Sequence, residues 1–155
     1  MAYSFLEWME LLSYVATVVG IPLALSTFII QERKERQSEQ QEIYDQMMEH
    51  YARIQDKLFQ HPELDEHDKP MKDAEDQRRQ RIIYDMLASL FERAFIMLYG
   101  ENDPDYKRMW NSWFDYITYW CKKQNFRDAL PELMEGEDPD FIAFMEKVTG
   151  LKLQG

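Results

Sequence analysis

The chain has one cysteine, three histidines, five glycines and no basic residue before Arg33. Each shortage excludes something. With Cys121 as the single thiol no intramolecular disulfide can form, which agrees with a reducing compartment. So few glycines leave no Gly-rich phosphate loop, and neither a P-loop nor a G-x-S-x-G elbow is present. The opening residues carry Glu7 and Glu10 and no Lys or Arg, unlike the positive start of a cleaved signal peptide. Ala24 to Ser26 has the small residues of a cleavage site, yet Phe28, Ile29 and Ile30 continue the apolar run beyond it. Alternating strand formers are rare and helix periodicity runs through the body, so the expected fold class is all-α.

Charge is also missing from residues 11–30, twenty positions in a chain that is otherwise rich in it. As a helix this run is about 30 Å long, the thickness of a bilayer's hydrocarbon core, and a transmembrane helix is expected there. Arg33, Lys34 and Arg36 follow it at once and serve as topology markers: positive residues stay inside. The expectation is a single-pass protein of the inner membrane, with residues 1–10 as an extracytoplasmic tip and the C-terminal body in the cytoplasm. Trp8 and Tyr14 sit where one interfacial aromatic belt would lie.

All 18 basic residues and all but two of the 29 acidic ones lie after residue 30, in a body of about 125 residues, enough for one domain. A body that acidic is a poor partner for nucleic acid, whose phosphates demand clustered cations. Arg78, Arg79 and Arg81 form the one dense basic group and follow Asp73, Glu75 and Asp76, which reads as a solvated, internally paired helix face.

Residues 31–42 are mostly charged or polar and predict a helical stalk; residues 43–155 predict a helical bundle. No Gly or Pro occurs from 31 to 60, so the membrane helix is expected to continue as one long helix. Ile43, Met47, Tyr51, Ile54 and Leu58, widened by Tyr44 and Met48, give its second half an apolar stripe. Pro62 ends it. A second helix is expected over 74–99, with Ile83, Leu87, Leu90, Ala94 and Leu98 inward, Ile82, Met86, Phe91 and Phe95 alongside, and Gly100 as the stop. Asp103-Pro104-Asp105 starts a third helix to about Lys123, with Tyr106, Trp110, Trp113, Phe114, Ile117 and Trp120 on its inner side. A short helix follows over 126–134, with Pro131 early or breaking it, and Asp138-Pro139-Asp140 opens the last one.

Within the apolar run, Ser13, Thr17, Gly20, Ala24 and Thr27 fall inside an arc of about 80°, with Ala16 beside them. Small residues on one face let helices approach closely in lipid, so this set is the candidate transmembrane contact face and points to homo-oligomerisation. It would line a pore if about six or more helices, spaced about 9 Å apart, formed a ring. The bland alternative is that lipid-embedded helices simply tolerate Ser, Thr and Gly.

His61, Glu63, Asp65, Glu66, His67 and Asp68 make an acidic loop without calcium-loop or H-E-x-x-H spacing, so it reads as solvated, with no metal or cofactor expected. Cys121 shares a face with Trp113 and Ile117 and reads as a small buried hydrophobe, although Lys122 and Lys123 adjoin it. Glu92 and Arg93 are either the polar edge of their helix, aligned with Asp85 and Ser89, or a polar link towards Arg127.

Phe91-Glu92-Arg93-Ala94-Phe95, Trp110-x-x-Trp113-x-x-Tyr116, Asn125-Phe126-Arg127 and Asp138-Pro139-Asp140-Phe141 together resemble a group of small bacterial proteins with one N-terminal membrane helix and a cytosolic helical domain. The chain is also similar to the membrane accessory proteins of RNA-targeting (type VI-B) CRISPR systems. That resemblance implies a HEPN-like helical domain, assembly into a membrane pore and a part in antiphage defence. One departure counts against ribonuclease activity. HEPN ribonucleases use an Arg and a His with four to six residues between them, whereas the nearest pair here, Arg53 and His61, has seven between. The expected function is therefore that of a non-enzymatic, self-associating membrane accessory or effector protein. The alternative is a membrane-tethered adaptor for a cytosolic protein partner.

Overall fold

The computed structural model describes residues 5–153 except 67 and 70; within the first helix the side chains of 5–8, 10–22, 37 and 40 are not described. Among the described residues there are five α-helices, one 3-10 turn and no strand. They are α1 (Phe5–Gln60), the 3-10 turn (Pro62–Asp65), α2 (Ala74–Leu98), α3 (Pro104–Trp120), α4 (Gln124–Leu133) and α5 (Pro139–Thr149). The chain divides into two compact units, Met1–Ile43 and Tyr44–Gly155.

In the first unit, residues 23–36 are all exposed, including Leu23, Leu25, Phe28, Ile29 and Ile30. Among the described residues no helix is long and apolar enough to cross a membrane. The side chains of 11–22, and with them Ser13, Ala16, Thr17 and Gly20, lie outside the described residues.

In the second unit the helix ends follow their caps. Asp73 accepts from the backbone N–H groups of Glu75 and Asp76, and Asp103 from that of Asp105. Asp138 does the same for Asp140 and Phe141. Pro104 and Pro139 occupy first-turn positions, where a missing N–H costs nothing. Gly150 closes α5 at φ 70°, a left-handed cap that a side chain would strain.

Three expectations need correction. Helix α3 stops at Trp120 rather than near Lys123, and α4 starts at Gln124, so Cys121 to Lys123 form the corner between them. Pro131 neither begins nor breaks α4 but lies inside its last turn, where only the bond to the Arg127 carbonyl is forgone. Ile82, Met86 and Phe114 are exposed rather than inward.

The core is aromatic. Trp113, Trp120, Phe91, Phe126 and Phe141 are fully enclosed, with Leu87, Ile117, Leu130 and Met145 filling between them. Phe126 meets Tyr84 edge-on at 5.2 Å and also contacts Phe91 and Trp120, so one ring joins α2, α3 and α4. Such pairs each add about 0.5–1.5 kcal/mol beyond their burial. Met47, Tyr51, Ile54 and Leu58 cover the cluster from α1, and Trp120 Nε1 donates to Tyr51 Oη at 3.2 Å. Among the described residues the Trp113 indole N–H has no hydrogen-bond partner, a cost of about 1–3 kcal/mol that the ring's enclosure offsets.

Candidate interaction surface

Of the transmembrane contact face, Ala24 and Thr27 have described side chains, and both are exposed. Thr27 Oγ1 donates to the Ala24 carbonyl at 2.8 Å, so the helix itself satisfies the hydroxyl. Among the topology markers, Arg36 pairs with Glu32 at 2.8 Å, while Arg33 and Lys34 are exposed.

The acidic loop folds into a structural clasp. Lys123 is only 6% exposed, its Nζ 2.9 Å from Asp65 and 3.7 Å above the Trp120 ring. Gln80, also buried, donates to the carbonyls of Leu64 and Glu66, and Asn125 donates to those of Glu66 and Lys69. These donors come from α2 and the first turn of α4, and Gln80 satisfies the buried Leu64 carbonyl. Among the described residues no three His, Cys, Asp or Glu side chains converge on a cation position; His67 lies outside them. Sequence reasoning missed this clasp because a Lys following a Lys reads as solvated. The Asp65 ion pair and the Trp120 face draw the second one inward.

Cys121 is buried, and burial pushes its thiol up to about 12, opposite to the activation that neighbouring lysines suggested. Arg53 is exposed and pairs with Glu49, whereas His61 pairs with Glu63.

Glu92 and Arg93 separate. Glu92 accepts the Asp138 backbone N–H at 2.6 Å, fastening α2 to the start of α5, and Arg93 points to solvent. Arg127 instead donates to the carbonyls of Cys121 and Thr149, so no Glu92–Arg93–Arg127 link exists. Beside Glu92, the Glu137 carboxyl is pushed up to about 7, first by burial and then by Glu92 and Asp85.

Recesses lie along α2, and two of them border its outer face. One, of 430 Å³, lies against α5 and has an aromatic wall of Phe95, Tyr99 and Phe144 with Asp138, Asp140 and Lys147 at its rim. The other, of 280 Å³, lies towards α1, with His50 and Ile54 on one side and Asp85, Met86, Ser89 and Arg93 of α2 on the other. Ser89 and His50 both line the second recess, but among the described residues no hydrogen bond joins them, so no nucleophile is paired with a base. Between them runs the outer face of α2, bearing Ile82, Met86 and Ile96, the last 60% exposed. Comparisons with protein-family models, curated proteins and solved structures find no match to this chain.

Proposed function

We propose that this chain is a membrane-anchored, self-associating accessory or effector protein, with its helical bundle in the cytoplasm. The observation that carries the reading is the apolar surface left open on α1. Leu23 and Phe28 are 64% and 65% exposed, and Leu25, Ile29 and Ile30 are exposed with them. Their directions are spread around the helix, so a one-sided contact cannot bury them, whereas lipid surrounds a helix completely. The uncharged stretch preceding them completes a bilayer-length segment. The Ser13–Gly20–Thr27 face is the self-association seam. The likeness to the CRISPR-linked membrane proteins extends this to a pore with a role in defence.

Light scattering of the detergent-solubilised chain, with detergent mass subtracted, tests the reading. A discrete assembly of about six or more copies is expected, enough to surround a lumen. The Thr17→Leu/Gly20→Leu pair should reduce it to smaller species and abolish liposome leakage. Unchanged mass and leakage in that variant overturn the seam. An adaptor role is the second reading, favoured by the aromatic-walled recess of 430 Å³ on the bundle. Replacing the run with an unrelated apolar helix separates the two: an adaptor keeps working.

A further inference from the structure

The outer face of α2 is palindromic in its chemistry. Counting from Ser89, Ile82 and Ile96 stand seven residues to either side, and Asp85 and Arg93 stand four to either side. All five are exposed. At 100° per residue they lie within about 40° of the Ser89 direction, one stripe about 21 Å long.

A two-fold axis that passes over Ser89 in the plane of contact, perpendicular to the length of this stripe, sets a second copy of the helix antiparallel to the first. Position 89 + n then faces position 89 − n of the partner. Ile82 meets Ile96 twice, and Asp85 meets Arg93 twice. Ser89 meets itself at the crossing, where a small side chain lets two helices come within about 8–10 Å. We propose that the α2 face centred on Ser89 is a homodimer interface, joining two copies of this chain antiparallel across a two-fold axis.

Charge favours a second copy over an unrelated partner. Neither Asp85 nor Arg93 forms an ion pair within the chain among the described residues, and the two-fold arrangement gives each an opposite charge. Like charges would face each other if the helices paired in parallel. Burial, then Glu92 and Asp85, hold the neighbouring Glu137 carboxyl up, so acidic groups gather on the Asp85 side of the stripe and favour an added cation there. The incoming Arg93 supplies one. Asp85, Ser89 and Arg93 also line the recess of 280 Å³ shared with His50 and Ile54 of α1, so the crossing lies at its α2 wall.

One pair of four-turn faces buries less than about 1,200 Å², the size of a weak association. Confinement of both copies to one membrane, the reading above on which the strength of this contact rests, raises their effective concentration. The face would then couple neighbouring cytosolic bundles in an assembly that the apolar run holds together.

The test uses the full chain in detergent with the buried Cys121 replaced by Ala. Ser89→Cys places two thiols on the axis with Cα atoms about 4–6 Å apart, within disulfide reach. Under mild oxidant it should form a covalent dimer at least about tenfold faster than Asp115→Cys on the exposed side of α3. Adding Asp85→Arg or Arg93→Asp alone should slow the cross-link by about tenfold, and adding both should restore it, because the swapped pair is again complementary. Cross-linking no faster than Asp115→Cys overturns the interface, as does a double swap as slow as either single one. Light scattering on the same samples keeps the two ideas apart. A large assembly without the Ser89 cross-link removes this interface alone, and the cross-link without a large assembly removes the transmembrane seam alone.

Discussion

Helix α1 carries two apolar stretches with opposite fates. Between 23 and 30, five large apolar side chains stand open to the surroundings. Between 47 and 58, Met47, Tyr51, Ile54 and Leu58 are buried within the same helix. The difference is periodicity. The second set recurs every three to four residues, so one face can sink into the aromatic core while Glu49, Arg53 and Asp56 remain in water. The first set surrounds its helix, and no single neighbouring layer can cover it. How the apolar side chains are spread around the axis, more than how apolar the stretch is, decides whether a single packed layer can cover it.

If the two stretches answer to different environments, they should fail independently. The largest expected effect is in the core: Phe126→Ala, which empties the junction of α2, α3 and α4, should cost the bundle about 3–5 kcal/mol. Thermal unfolding followed by near-UV circular dichroism should show the midpoint falling by about 15 °C or more, while membrane retention is unchanged. A Phe126→Ala chain that leaves the membrane would break the comparison. Leu23→Arg is the converse. It should cost about 3 kcal/mol of insertion near the middle of the run and shift the chain out of the membrane fraction, with the bundle melting as before. A drop in the bundle midpoint would show that Leu23 serves the folded domain instead.

A smaller effect sharpens the picture of the bundle surface. Glu137 ionises near 7 in the folded chain against 4.5 in the unfolded one, so the folded state holds its proton more tightly. Its contribution to stability is full below about pH 4.5 and is lost as pH rises through about 7. Glu137→Gln should remove that decline, leaving a flatter stability profile between those limits by denaturant titration. An identical profile in the variant would show that the decline does not come from Glu137.

Much of this was legible in the residues themselves. The Asp103-Pro104 and Asp138-Pro139 starts hold, because an N-cap carboxylate and a first-turn proline act locally. The stripe from Met47 to Leu58 and the burial of Cys121 also hold. What sequence missed depends on distant neighbours. Lys123 is buried because Asp65, 58 residues away, and the Trp120 face receive it. Ile82 and Met86 stay exposed because the core is fully supplied from the opposite side of α2, and helix period alone does not say how many sides are covered. Glu92 turned from a choice of partners into a clamp on the Asp138 amide, a backbone contact that no side-chain pattern encodes.

The central claim is that residues 11–30 hold the chain in a bilayer. The most direct measurement is an alkaline carbonate wash of membranes from cells making the unaltered chain, followed by detection of the chain in pellet and supernatant. The account predicts that it stays in the pellet until detergent is added. Release into the carbonate supernatant would contradict it and leave the exposed apolar surface of α1 to be covered by protein instead.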